Sequence, residues 1–233
     1  MKEIQIGVLG GMGTYATIHL FQQYAKIFNA KKEWDRPRLV IDNRCTMPSR
    51  VCAFLYGENE GKLIDDMIDS LTRLMEMGCN KIILDCNTSH LFLDRIFQVK
   101  PELENIIVNL IDICVEQIAV DAKKEIYLLG SEGTIDSRVY QNALSRKNIQ
   151  CITPQPHEYS QIRKCIEAVK TDNCTEETKS IFLNLINNHK NCILGCTELP
   201  ILADLYADSI CCEKLYDPVL ICLHMIKERF ENE

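Results

Sequence analysis

Ile82-Ile83-Leu84-Asp85-Cys86-Asn87-Thr88 and Ile193-Leu194-Gly195-Cys196-Thr197-Glu198 share one design: a short apolar run, a cysteine, then residues able to hydrogen-bond. Apolar runs of this length, rich in Ile, Val and Leu, read as buried strands. Both stretches stand at matching places in a longer repeat. Val8-Leu9-Gly10-Gly11-Met12-Gly13-Thr14 is echoed by Leu128-Leu129-Gly130-Ser131-Glu132-Gly133-Thr134, and Asn109-Leu110-Ile111-Asp112 by Lys214-Leu215-Tyr216-Asp217. The offset is 120 residues from Thr14 to Thr134, 110 from Cys86 to Cys196 and 105 from Asp112 to Asp217. Three collinear landmarks with shrinking offsets predict two similar α/β lobes, the second with shorter connecting segments.

Working outward, Ile4–Leu9, Leu39–Asp42, Lys81–Cys86 and Ile106–Ile111 read as strands of the first half. Helical periodicity fills Ala16–Phe28 and Leu63–Met77, with Gly78 as a stop. In the second half, strands are expected at Glu125–Gly130, Ile149–Thr153, Asn191–Cys196 and Ile210–Tyr216. Helices are expected near Arg138–Arg146, Tyr159–Lys170, Glu176–Asn187 and Pro218–Phe230. Strand–helix alternation implies parallel sheets with right-handed crossovers. We expect a first lobe of residues 1–98 plus 218–233 and a second of 99–217. If the lobes are related by a pseudo-twofold axis, equivalent strand ends meet in an interlobe cleft, where ligands of open α/β sheets bind.

The composition narrows the partners. A formal charge of −7 argues against nucleic acid, which selects a basic face. No apolar run approaches the roughly 20 residues that span a bilayer. Met1–Gly13 passes from Lys2 and Glu3 straight into a strand-like run, unlike an export signal. Thirteen cysteines without such a signal point to reduced thiols and a cytoplasmic location. No C-x-x-C pair or H-x-x-x-H occurs, so no metal site is expected. Most of the thirteen are expected to be small core hydrophobes.

Cys86 and Cys196 differ from the rest because each ends a strand in a repeated context. A thiolate at a strand-to-helix turn gains from backbone N–H groups and the helix dipole. As thiolate it is a base and as thiol an acid, so two thiols facing one C–H can remove a proton on one face and deliver another opposite. Asn87 and Glu198, beside Thr88 and Thr197, are further ligand-binding candidates. The glycine loop, through Gly11 and Met12, can hold a carboxylate on backbone N–H groups. Gly11-Met12-Gly13-Thr14-Tyr15-Ala16 also fits G-x-G-x-x-A, with Asp42 closing the second strand, and so leaves a nicotinamide-dependent oxidoreductase as an alternative. Arg50, in the loop after the second strand, has the fork geometry for a carboxylate. Lys170 ends a helix, and His90 is positioned to tune Cys86 or to make a core hydrogen bond.

Leu9-Gly10-Gly11-Met12-Gly13, Pro48-x-Arg50, Cys86-Asn87-Thr88-x-His90, Gly133-Thr134 and Gly195-Cys196-Thr197-Glu198 run along nearly the whole chain. In this order they resemble the aspartate/glutamate racemase superfamily, and within it the aspartate racemase branch. The resemblance implies two Rossmann-like lobes with pseudo-twofold symmetry, a PLP-free two-base mechanism without cofactor, and a homodimer. It carries Cys86 and Cys196 over as the acid/base pair, and Asn43, Arg50, Thr88, Thr197 and Lys170 as substrate contacts. Many relatives read I-P-D-R where this chain has Met47-Pro48-Ser49-Arg50, and Thr14-Tyr15 replaces the more usual Pro and its neighbour. These departures touch the substrate and leave the thiol chemistry intact. Aspartate is the first expectation and glutamate the second, with an isomerase or decarboxylase of a dicarboxylate as an alternative.

Overall fold

The computed structural model describes residues 4–232. The chain forms two compact units, one running up to Leu110 and resuming at Val219, the other Ile111–Pro218. The first contains β1 (Gln5–Gly10), α1 (Thr14–Ile27), β2 (Arg38–Asn43), α2 (Arg50–Tyr56), α3 (Glu60–Glu76), β3 (Lys81–Leu84), α4 (Leu93–Val99) and β4 (Ile107–Val108). α5 (Leu110–Val120) leads into the second. There follow β5 (Glu125–Gly130), α6 (Glu132–Asp136), α7 (Val139–Arg146), β6 (Gln150–Ile152), α8 (Tyr159–Lys170), α9 (Glu176–Ile186), β7 (Asn191–Gly195), α10 (Leu199–Leu205) and β8 (Lys214–Tyr216). α11 (Pro218–Asn232) returns the chain to the first unit.

Each unit has a four-stranded parallel sheet, ordered β2-β1-β3-β4 in one and β6-β5-β7-β8 in the other. The registers repeat as well. Leu9 lies opposite Leu84, and Leu129 opposite Leu194, so the sequence offsets of 120 and 110 are also register offsets.

Three expectations need correction. The unit boundary falls after Leu110 and not after residue 98, because β4 pairs with β3 and so belongs to the first sheet. The strand expected over Ile106–Ile111 stops at Val108, and α5 begins at Leu110. Ile111, Cys114, Val115 and Ile118 are buried at helical spacing. In the strand expected over Ile210–Tyr216, only Lys214–Tyr216 pairs, since the amides of Glu213 and Lys214 converge on the single carbonyl of Lys190.

α3 shows why the first sheet is covered as it is. Leu63, Met67, Leu71 and Leu74 recur at three- and four-residue spacing and are fully buried against Leu9, Ile82, Leu84 and Leu103. Asp66 and Ser70 share this face and are matched by Arg44, just past β2. Arg44 donates to Asp66 Oδ1 at 2.7 Å, Asp69 Oδ2 at 2.5 Å and Ser70 Oγ at 3.2 Å. Lys62 donates to the other Asp66 oxygen at 2.5 Å. The bond from Lys62 draws the Asp66 carboxyl below its usual range; burial opposes this, and Arg44 reinforces it.

Asp66→Asn is therefore expected to cost about 1.5–3 kcal/mol at neutral pH, the range for hydrogen bonds to charged groups. A depressed carboxyl contributes its stability above the ordinary aspartate value of about 4 and loses it as pH falls through the folded value. The gap between the urea midpoints of wild type and variant should accordingly shrink on acidification; a gap that widens would contradict the assignment.

Candidate active site

In the first unit, Cys86 follows β3 by two residues, and its amide donates to the Leu84 carbonyl at 2.7 Å. Beyond it the chain tightens into a short 3-10 turn over Thr88–Phe92. Asn87, Thr88, Ser89 and His90 are all buried, while Cys86 itself is half-buried. A buried polar turn must satisfy its groups internally. His90 does so for the backbone: the Leu110 amide donates to Nε2 at 3.1 Å, and Nδ1 lies 3.0 Å from the Cys86 carbonyl. Because Nε2 accepts, Nδ1 carries the proton and donates it, so the ring is a neutral brace behind the cysteine. Of the two roles expected for His90, the hydrogen-bonding one is observed.

The same turn holds the glycine loop. Ser89 Oγ donates to Met12 Sδ at 2.8 Å, and Arg50 Nη2 donates to the Met12 carbonyl at 2.7 Å. Gly11 passes so close to the loop after β2 that an added Cβ would stand 2.5 Å from the Arg44 carbonyl carbon and the Cys45 nitrogen. Its amide donates to Thr17 Oγ1 at 3.1 Å, and that hydroxyl donates on to the Gly13 carbonyl at 3.2 Å. The Gly11 amide is thus engaged within the loop, which narrows the expectation that it holds a carboxylate. Asn43 ends β2 directly opposite Gly10, with its side chain exposed.

Arg50, expected in a loop, opens α2. Ser49 is the N-cap, its Oγ accepting the Cys52 amide at 3.2 Å, so the residue that departs from the relatives' Asp has a local structural use. Besides Met12, Arg50 donates from Nη1 to the Pro48 carbonyl at 3.0 Å, and its buried Nε makes no hydrogen bond among the described residues. One guanidinium nitrogen thus braces the glycine loop, a second holds the Pro48 carbonyl, and the Nε–H is left over.

In the second unit, Cys196 follows β7 directly and is half-buried. Its thiol donates to Glu198 Oε2 at 2.9 Å. Glu198 is 2% exposed, and its Oε1 is buried without a hydrogen-bond partner among the described residues. Thr197 is buried beside it. Lys170, at the end of α8, donates to Glu167 at 2.9 Å, and α8 packs against α10, the helix that follows Cys196. Burial pulls the Lys170 ammonium down, but the Glu167 bond and the negative charges of Glu198 and Cys196 outweigh it, so its pKa is raised. Residues 26 positions apart in sequence (Lys170 and Cys196) therefore share one electrostatic neighbourhood. In the loop equivalent to the glycine loop, the Ser131 hydroxyl accepts the Thr134 amide at 3.3 Å and starts α6.

The structure thus gathers Gly11, Met12, Asn43, Arg50, Asn87 and Thr88 with Cys86, and Lys170, Thr197 and Glu198 with Cys196. Thr17, Ser89 and Glu167 were not singled out from sequence, and Ser49 was noted only as a departure from the relatives' Asp. Only Thr17 carried a local signal, a hydroxyl one helical turn from Gly13. The expectation that most cysteines are core residues is corrected: five of the thirteen are buried, six are partly buried, and Cys45 and Cys211 are exposed. Among the described residues, no group of three or more His, Cys, Asp or Glu could hold a metal ion, and no helix is long and apolar enough to cross a membrane.

Two α/β units, each a parallel sheet of the same strand order with a half-buried cysteine just past its third strand, define a duplicated α/β protein. The chain belongs to the Asp/Glu/Hydantoin racemase family, whose profile matches residues 9–226, and is an amino-acid racemase. It is 28% identical over 207 residues to the broad specificity amino-acid racemase RacX of Bacillus subtilis (strain 168), covering 85% of this chain and 87% of that one. Among solved structures, Picrophilus torridus aspartate racemase matches with a TM-score of 0.79 and 22% identity over 96% of this chain and 94% of its own. Glutamate racemase from Francisella tularensis subsp. tularensis SCHU S4, in complex with D-glutamate, matches with a TM-score of 0.61 and 22% identity over 100% and 83%. Family membership replaces the dinucleotide-binding reading of Gly11–Ala16.

Proposed function

We propose that the protein interconverts the enantiomers of an acidic amino acid, aspartate before glutamate, without a cofactor, in the cytoplasm and as a homodimer. Cys86 and Cys196 act from opposite faces of the substrate α-carbon. What supports this most directly is their equivalence: each stands just past the third strand of a sheet of the same order, at register positions 110 residues apart.

Cys196, donating to Glu198, starts as the acid, and Cys86 starts as the base. For the opposite enantiomer the roles reverse, the proton then being delivered from the Cys86 side. The unpartnered Glu198 Oε1 is a natural acceptor for the substrate ammonium. Arg50 and Lys170 supply the positive charge that an anionic ligand of a chain with net charge −7 requires. Asn43, Asn87, Thr88 and Thr197, with the Met12 region, complete the substrate contacts.

Incubation with each L- and D-amino acid in D₂O, read by loss of the α-proton signal in NMR, tests reaction and substrate together. Exchange with inversion confined to aspartate and glutamate is the expected result. The likeness to a broad specificity racemase favours a second reading, in which non-acidic amino acids exchange at comparable rates. That outcome would remove Arg50 and Lys170 as determinants of specificity. No exchange with any amino acid would overturn the racemase chemistry proposed.

Through its other oxygen, Oε2, Glu198 also positions the Cys196 thiol. Glu198→Gln keeps the shape but weakens a charge-assisted bond, and kcat is expected to fall about 10–100-fold by the 1.5–3 kcal/mol such bonds contribute. The pH dependence of kcat should move with it, since the group sharing the thiol proton has changed. An unchanged pH profile would remove Glu198 from control of the Cys196 proton.

A further inference from the structure

Away from both proposed active-site cysteines, the second unit contains a further thiol pair. Cys192 is the second residue of β7 and fully buried; Cys212 lies just before β8 and is half-buried. Their sulfurs are 3.5 Å apart, one thiol donating to the other. The surrounding backbone is anchored on both sides. Asn187 donates to the Ser209 carbonyl at 3.1 Å and accepts the Cys211 amide at 2.9 Å, while Glu213 and Lys214 donate to the Lys190 carbonyl at 2.8 and 3.1 Å. Cys212 Sγ also lies within reach of the Lys190 and Lys214 carbonyls, at 3.1 and 3.4 Å. The pair is thus held at van der Waals contact by two β-strands and a pinned loop. Closing a bond of about 2.05 Å requires only that each sulfur swing inward by less than an ångström.

We propose that Cys192 and Cys212 are a modification site: a dithiol that a hydroperoxide converts to a reversible disulfide. The thiol of Cys192 stabilises negative charge on Cys212 and draws its pKa down to about 7, while pushing Cys192 up. Cys212 is therefore the attacking sulfur. Its thiolate takes the terminal oxygen of the peroxide; the O–O bond breaks, the sulfur is oxidised to a sulfenic acid, and the departing oxygen leaves as water after taking up a proton. The Cys192 sulfur then attacks the sulfenic sulfur, the S–S bond forms and the S–O bond breaks, and the hydroxyl leaves with the Cys192 proton as a second water. Two thiols and one hydrogen peroxide give one disulfide and two waters. The proposal is independent of the racemase mechanism, because neither sulfur belongs to that site.

The test treats the intact protein with one equivalent of hydrogen peroxide, alkylates the remaining thiols, and digests with trypsin and Asp-N. Cleavage before Asp204 and Asp208 separates Cys192 from Cys212, which otherwise share one tryptic peptide. The expected product joins the two fragments with the loss of two hydrogens, is assigned to Cys192 and Cys212 by fragmentation, and disappears with dithiothreitol. Cys212 should be consumed ahead of its exposed neighbour Cys211, because a second sulfur 3.5 Å away stabilises the Cys212 thiolate. In Cys192→Ala, Cys212 should instead accumulate as a sulfenic acid trapped by dimedone. Cross-linking of Cys212 to Cys211, or oxidation of other cysteines while Cys192 and Cys212 stay reduced, would overturn the proposal.

Discussion

Replacing Cys196 by alanine is expected to lower racemisation in both directions by about 10²–10⁴-fold, the contribution of a positioned acid or base, and replacing Cys86 should do the same. The two variants should nevertheless differ in what remains. With Cys196 absent, Cys86 still has a proton to exchange, and it should slowly introduce deuterium into one enantiomer without inverting it. Cys86→Ala should do so with the other enantiomer. Chiral chromatography and α-proton NMR on the same D₂O samples separate inversion from exchange. Substantial racemisation by either single-thiol variant would sink the two-base scheme, provided circular dichroism shows the variant folded.

The second large effect is expected at Gly11. Its φ of +77° is left-handed, and a Cβ there would stand 2.5 Å from two backbone atoms of the Arg44–Cys45 peptide. Backbone cannot swing aside as a side-chain tip can, so Gly11→Ala combines conformational strain with overlap. The expected loss is about 2–5 kcal/mol, from left-handed strain and overpacking together. The displaced segment begins with Arg44, the partner of Asp66 and Asp69, and the loop itself carries Met12, the partner of Arg50 and Ser89. Activity is therefore expected to fall with stability. Gly57→Ala is the control: its φ is +69°, but nothing lies within 4 Å of the added Cβ, so only the conformational cost of about 1–2 kcal/mol applies. Equal urea midpoints for the two variants would show that the contact with Arg44 has no energetic weight.

Much of the fold was legible because its signals are local. β5 and α8 have the ends that period and breakers predict, and the repeat of strand order follows from landmarks visible in the chain. The missed helix α5 was also local in principle: Ile111, Cys114, Val115 and Ile118 have helical spacing. It was obscured because Ile106–Ile111 is apolar at every position but Asn109, and burial on many sides erases the contrast that separates strand from helix. Arg50 was misplaced for a different reason. Ser49 caps only a single short helix, and seven residues leave too few turns for a period to emerge. Around the site, residue identities were readable, but their partners were not. Arg50 was expected to present an open fork, whereas two of its nitrogens hold the carbonyls of Met12 and Pro48. His90 was a possible tuner of the thiol and instead joins the Cys86 carbonyl to the Leu110 amide.

The sequence by itself determined the alternation of strands and helices, the duplication, and which two of thirteen cysteines stand at equivalent strand ends. These follow from residue periodicity and from the repetition of motifs, both properties of neighbours along the chain. Only the tertiary structure decided that Cys196 donates to Glu198, that Lys170 shares their charge field, that Ser89 ties the glycine loop to the turn after Cys86, and that Arg50 ties it to α2. Hydrogen bonds form within a few tenths of an ångström of about 2.9 Å. Which groups reach that separation depends on how segments tens of residues apart pack together, and no spacing along the chain encodes it.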